Sequence, residues 1–190
     1  MGGLGSALYR VRSWTAVPFV IALLAVARPS AALLVWGALL VLCGEALRVC
    51  GLRHLGATAR GGRLHADALA TGGPFRFVRN PIYLGNVLLV AGFLVAGGVA
   101  HPAFLACAAA ALAIQYGAII ATEEAFLARR FPEAFARYRA RVPRLLPRRA
   151  PYGPATAPRR ATRDVLRAEF RTLHTLALLL TLIGFRNLLR

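Results

Sequence analysis

Two short polar runs hold most of the residues in this chain that can do chemistry. The first, TGGPFRFVRNPIYLG from Thr71 to Gly85, places Arg76, Arg79, Asn80 and Tyr83 beside Gly72-Gly73-Pro74 and the Asn80-Pro81 step. Guanidinium groups hold carboxylates or phosphates through charge-assisted hydrogen bonds, and the glycines and prolines force a turned backbone in place of a helix. The second run, TEEAFLARRFPEAFARYRAR from Thr122 to Arg141, opens on the adjacent Glu123 and Glu124, carries Tyr138 and Arg141, and leads into Arg144 within VPRLLP. An acidic pair beside anionic lipid is repelled by it, so Glu123 and Glu124 suit a cationic ligand better than a membrane surface. A plainer reading stands beside each run. The first can be a basic, aromatic anchor at the membrane interface. The second can be an amphipathic helix on the inner leaflet: Phe126, Leu127, Phe131, Phe135 and Tyr138 recur three or four apart, with an interruption near Pro132.

The elements that must position these residues are apolar. Of 190 residues, 58% are hydrophobic and 16% charged, and the apolar ones come in blocks. This composition excludes a soluble globule and predicts an all-α, polytopic membrane protein with one integral domain over residues 1–190. About five transmembrane helices are expected, plus the cytoplasmic interfacial helix. The first runs from about Thr15 to Ala27, after a lead-in from Tyr9 to Trp14 with Arg10 and Arg12. Arg28-Pro29 breaks it, and Ser30 caps a second from Ala31 to about Gly51. A third runs from Pro81 or Ile82 to Val99, with a small-residue surface at Gly85, Ala91, Gly92, Ala96 and Gly97 that a neighbouring helix can approach. The fourth covers Ala103 to Ala121. A last helix starts near Thr162 or Asp164; its apolar part, Leu173 to Phe185, either crosses obliquely or lies in the interface. Between these, the Arg148 to Arg163 stretch, rich in proline, alanine and arginine, reads as a flexible basic linker.

Charge orients this arrangement. There are 24 basic residues, all arginine, against 7 acidic ones, a formal net charge of +17. They crowd before Pro81 and after Ala121 and avoid the Gly98 to Pro102 turn, which places those loops and the amino terminus in the cytoplasm and the turn outside. Anionic headgroups account for the excess, and no aromatic interleaving or recognised module points to nucleic acid. The amino terminus lacks a convincing cleavage site and is expected to stay in the mature protein. Glu45 and Arg48 share a helix face at i and i+3, either as a local ion pair or as a wall of a polar pocket. His54 and His65 lack the companions a metal site requires, and Cys43, Cys50 and Cys107 read as small buried hydrophobes.

Taken together, GPFRFVRNPIYLG and EEAFLARRFPEAFARYRARVPRLLP resemble the isoprenylcysteine carboxyl methyltransferase and phospholipid methyltransferase group of integral membrane enzymes. That group pairs a Gly-Pro-aromatic, Arg-His-Pro-x-Tyr segment with a Glu-Glu, Phe-Gly-x-x-Tyr, Val-Pro-Arg-x-x-Pro segment. The resemblance covers residues 71–147, the expected catalytic core. Asn80 stands where the group has histidine, Pro132 where it has glycine, and Phe135 where it has tyrosine. Asn80 can donate and accept hydrogen bonds but supplies no imidazole proton.

The resemblance implies S-adenosylmethionine as cofactor and methyl transfer to a lipophilic small molecule or lipid at the cytoplasmic face of a bacterial inner membrane. On that reading Arg79, Asn80 and Tyr83 hold the cofactor carboxylate, and Glu123 or Glu124 takes its amino group or ribose hydroxyls. Phe75, Tyr83 and Tyr138 meet the adenine or the sulfonium, and Arg141 and Arg144, with Glu124, serve the acceptor and the reaction. The acceptor would enter from the bilayer beside the glycine-rich third span. The reading from another class is a non-enzymatic cationic membrane protein that binds anionic lipid or a partner helix.

Overall fold

The computed structural model describes residues 16–55, 66, 68–155 and 157–188. The Tyr9 to Trp14 lead-in, Thr15, Arg60, Arg63, His65 and Asp67 lie outside them. The described residues form seven α-helices and no strand: α1 Ala16–Val26, α2 Ala31–His54, α3 Pro81–Ala96, α4 Pro102–Arg130, α5 Pro132–Arg141, α6 Thr162–Ala168 and α7 Phe170–Leu188. A 3-10 turn, Gly73–Arg76, precedes α3. Ser30 caps α2 as its sequence suggests, its hydroxyl accepting from the Leu33 amide at 3.4 Å.

Long apolar helices are fewer than the five expected spans. Two, α2 and α4, are long and apolar enough to cross a membrane, and α6 with α7 makes a third if the pair, bent by 63°, is one span. With 11 and 16 residues, α1 and α3 measure roughly 17 and 24 Å at about 1.5 Å per residue, short of a hydrocarbon core of about 30 Å. Arg28-Pro29 stops α1, and Gly97-Gly98 turns the chain before Val99. Gly98 sits at φ +60, against the carbonyl of Arg28, where a side chain could not be accommodated. There the Arg28 amide donates to the Gly97 carbonyl at 2.6 Å, tying the two turns together.

From those turns α2 runs to the opposite end of the bundle and α3 returns against it. The two pack through facing glycines: Gly44 opposes Gly85, and Gly37 opposes Gly92 and Ala96. A methyl group on Gly44 would lie 2.8 Å from the Gly85 carbonyl oxygen, so the backbones approach as closely as small residues allow. The small-residue surface of α3 is therefore covered by α2, the close helix approach its composition suggests. Leu23, Val41, Leu89, Phe93, Ala96 and Ile183 form the buried core shared by α1, α2, α3 and α7. Outward, Ile21, Trp36, Leu42, Ile114 and Leu178 are exposed, an apolar exterior suited to lipid. Cys43 and Cys107 belong to that exterior, not to a buried core as expected, while Cys50 is half-buried.

At the far end a second cluster forms. Phe135, Tyr138 and Val142 are buried against Leu69, Leu127, Phe131 and Tyr152. The aromatic side of α5 thus faces protein, correcting the expectation that it lies on the leaflet. The residues after Pro147 are pinned, where a flexible linker was expected. The Arg148 and Tyr152 amides donate to the Phe77 and Arg76 carbonyls at 2.9 Å each, and the Arg159 and Arg160 amides donate to the Arg53 carbonyl. This strap crosses from the 3-10 turn to the end of α2.

Candidate functional site

The fold brings the two polar runs into contact at this end of the bundle. Pro81 starts α3, so Arg79 and Asn80 hang just before its first turn, while Tyr83 lies on its first turn. Glu123 and Glu124 lie on the last turns of α4, which continues without interruption to Arg130. Adjacent residues on a helix point about 100° apart. The two carboxylates consequently meet different partners.

Glu124 is buried, with 7% exposure. Arg79 Nε donates to its Oε1 at 3.1 Å, Arg144 Nη2 to its Oε2 at 2.7 Å, and Asn80 Nδ2 to Oε1 at 3.3 Å. Arg79 Nη1 also donates to the Arg139 and Val142 carbonyls at 2.9 and 2.7 Å, and the Arg79 amide donates to the Pro143 carbonyl. Asn80 Nδ2 reaches the Arg144 carbonyl at 3.1 Å. One carboxylate, two guanidiniums and an amide thereby fasten the Val142 to Arg144 stretch to the head of α3. Donation to the Glu124 carboxylate holds the half-exposed Arg144 guanidinium above its ordinary range.

Glu123 instead accepts from the Tyr83 hydroxyl at 2.7 Å. The Tyr83 ring is 5.3 Å from that of Tyr116, tilted by 48°, so a carboxylate and two phenol rings meet between α3 and α4. Such a set suits a cation with donor hydrogens. Tyr138 is buried, and its hydroxyl donates to the Phe75 carbonyl at 2.7 Å; burial pushes the phenol above its ordinary range, so it stays neutral. It braces the Gly-Pro-Phe turn. Arg141 is exposed, and its carbonyl accepts from Arg148. The structure therefore joins Arg79, Asn80, Glu124 and Arg144 in one knot and Tyr83 with Glu123 in a second pair, leaving Tyr138 and Arg141 beside them.

Tyr116 escaped the sequence reading, although it lies two helical turns before Glu123, a spacing that puts both on one side of α4. The extent of the Arg48 network escaped it too. Arg48 does pair with Glu45 at 2.9 Å, as the spacing suggests, but it also donates to Asn86 on α3 and to Glu169, at 2.8 Å, between α6 and α7. A polar Asn86 inside an apolar helix was the available signal. Nothing local could have named Glu169.

Residues 32–134, more than half of the chain, match the family model for phospholipid methyltransferases. The chain belongs to the phospholipid methyltransferase family. The match takes in α2, which the motif-based boundaries of 71–147 left out, and ends within α5. A curated relative, the cobalt-zinc-cadmium resistance protein CzcN of Cupriavidus metallidurans, is 41% identical over 87 residues, which cover 45% of this chain and 38% of that protein. The aligned stretch thus spans well under half of the relative it matches. No solved structure shows significant similarity to the chain. Methyl transfer to phospholipid is what the family's description names. Among the described residues no group of three or more His, Cys, Asp and Glu is placed to hold a metal ion.

Proposed function

We propose that the chain transfers a methyl group from S-adenosylmethionine to a lipophilic acceptor, an isoprenoid carboxylate or a phospholipid-like molecule, at the cytoplasmic face of a bacterial inner membrane. The observation that carries this reading is the meeting of the Arg79-Asn80-Pro81-x-Tyr83 segment with both members of the Glu123-Glu124 pair. The donor set fits the cofactor. Glu123 and the Tyr83 and Tyr116 rings suit its ammonium or sulfonium cation, while the half-exposed Arg144 guanidinium is left for the anionic group of the acceptor.

When bound, S-adenosylmethionine supplies a methyl group activated by its positively charged sulfur. Glu123 accepts hydrogen bonds from the cofactor amino group or ribose hydroxyls. Arg79 and Asn80, whose donors are engaged by Glu124 and backbone carbonyls, act by holding the loop in place more than by gripping the cofactor themselves. Tyr138 braces the same loop through Phe75. Arg141 and Arg144 orient the carboxylate or phosphate of the acceptor. A carboxylate already ionised at neutral pH needs alignment and exclusion of water, not a strong base.

The bundle that supports this site reaches from the knot to the turns at its other end. Arg186, near the end of α7, donates to the Ala25 and Ala27 carbonyls at the end of α1, at 2.9 and 3.0 Å. With α1 and α3 tied at their ends by Arg28 and Gly97, five helices, α1 to α4 and α7, have an end at those turns. We take all five as membrane-embedded, the short α1 and α3 being accommodated by local thinning of the bilayer. The site end carries the excess of arginine and faces the cytoplasm on this reading. Calorimetric titration of the detergent-purified protein with S-adenosylmethionine tests the proposal, with the Glu123→Gln variant alongside. Heat of binding with the unmodified protein and weaker binding in the variant are expected; no heat with the unmodified protein sinks the reading.

A further inference from the structure

The Arg48 network has no hydrogen bond in common with the Glu124 knot and meets α3 at Asn86, one turn beyond Tyr83. It joins three elements. Arg48 Nε donates to Glu45 Oε2 at 2.9 Å on its own helix, Nη1 to Asn86 Oδ1 on α3, and Nη2 to Glu169 Oε2 at 2.8 Å. Gly85 makes room for the arginine stem, since a methyl group there would lie 2.7 Å from Arg48 Cγ. Glu169 is the residue between α6 and α7, at the 63° bend. The α6–α7 pair is thus held by polar contacts at its two ends and at the bend: the Arg159 and Arg160 amides on the Arg53 carbonyl just before α6, Glu169 at the bend, and Arg186 at the far end of α7. Apolar side chains around Ile183 pack between them.

One atom in this network is anomalous. Glu45 is buried, at 7% exposure, and its Oε1 finds no hydrogen-bond partner among the described residues. A buried carboxylate oxygen left unpaired is destabilising and calls for a reason. The geometry supplies one. Arginine binds a carboxylate side-on through Nε and Nη2 together. In the observed state Glu45 holds Nε and Glu169 holds Nη2. If Glu169 leaves, Oε1 of Glu45 can take Nη2, and the buried guanidinium exchanges one carboxylate for the second oxygen of another without ever being unpaired.

We infer that Arg48 is a two-position latch: engaged with Glu169 it closes the α6–α7 pair onto α2 and α3, and engaged side-on with Glu45 alone it lets the bend swing out between the Arg53 and Arg186 attachments. Such an opening exposes the flank of α2 and α3 to the bilayer. It gives a lipid-borne molecule a lateral way in. The role in acceptor entry rests on the methyltransferase reading. The latch itself does not, because its two positions are a matter of distance between helices.

The test is a pair of spin labels at Leu178 on α7 and Leu39 on α2, both exposed, in a variant without Cys43, Cys50 and Cys107, reconstituted in lipid nanodiscs. Double electron–electron resonance then reports their separation. Glu169→Gln removes the closing carboxylate, and a longer-distance population at least severalfold larger than in the parent is expected. Glu45→Ala removes the standby acceptor, and that population is expected to shrink below the parent level. A bridge that merely stabilises the fold would loosen in the same direction in both variants, and that result overturns the latch, as does an unchanged distribution in Glu169→Gln. Should Glu169→Gln fail to give monodisperse protein, Glu45→Ala decides alone: absence of narrowing overturns the proposal. Collapse of both variants also counts against it, since each leaves Arg48 with one carboxylate. A latch confirmed by distance in a protein that does not bind S-adenosylmethionine would separate this inference from the proposed function.

Discussion

Glu123 and Glu124 are neighbours in sequence and opposites in setting. Glu124 is sealed beneath Arg79, Asn80 and Arg144, each of which also belongs to the loop that it fastens. Glu123, one residue earlier, meets the Tyr83 hydroxyl in the seam between α3 and α4, next to a second phenol ring. An acidic pair read as one unit is therefore two devices. One anion ties two loops together at the end of the fold, and the other meets a phenol in the seam between two helices. The charges point the same way: the knot already matches its carboxylate with two guanidiniums, so a further cation has no place there.

The largest effect expected from breaking this contrast is at Glu124. Glu124→Ala leaves Arg79, whose side chain is only 10% exposed, facing carbonyls alone and without a counter-charge. Removing one partner of a buried pair costs about 3–5 kcal/mol. Thermal unfolding in detergent should show a large drop in midpoint, with loss of the Arg144 to Arg79 connection freeing the VPRLLP segment to proteolysis. A midpoint within a degree or two of the parent would mean that the knot is not what holds this end together.

The contrast also marks how much could be read from the chain beforehand. Helix identities followed from blocks of apolar residues closed by Arg28-Pro29, Ser30 and Asn80-Pro81, because these are local effects of backbone chemistry. Span length was less legible: Gly97 and Gly98 ended α3 early, since φ and the contact with Arg28 depend on a turn some seventy residues away. The pairing of the two motifs was legible from the chain. The division between Glu123 and Glu124 was not, because both glutamates are equivalent in composition and differ only in which face of α4 meets the loop. The same holds for α5 and the strap, whose apolar and proline-rich sequences are compatible with lipid or solvent. Tertiary partners decide them: Tyr152, Leu127 and Phe131 in one case, the Arg53 and Arg76 carbonyls in the other.

A smaller and differently shaped effect is expected at Glu123. Glu123→Gln keeps the volume and one acceptor oxygen but removes the charge, and it faces the Tyr83 hydroxyl where Glu124 faces two guanidiniums. The unfolding midpoint should move little. Affinity for S-adenosylmethionine should fall about 10- to 100-fold, the range for losing one hydrogen bond to a charged group of about 1.5–3 kcal/mol. The two glutamates would then be separated by readout, stability for one and binding for the other. Equal loss of stability in both variants would erase the distinction.

The smallest change that still sharpens the comparison is Tyr83→Phe, which removes the hydroxyl that meets Glu123 and keeps the ring that packs on Tyr116. One hydrogen bond is worth about 1 kcal/mol, so cofactor affinity is expected to fall about fivefold with little change in unfolding. The size of the effect matters less than its dependence on Glu123. If Tyr83 acts by orienting that carboxylate, the Tyr83→Phe loss should largely vanish in a Glu123→Gln background, giving a coupling energy in the double-mutant cycle. If instead the hydroxyl only packs the α3–α4 seam, the two losses should add, and the midpoint should fall with each. Additive losses would return Tyr83 to the fold and leave Glu123 as the lone ligand-facing group on this turn of α4.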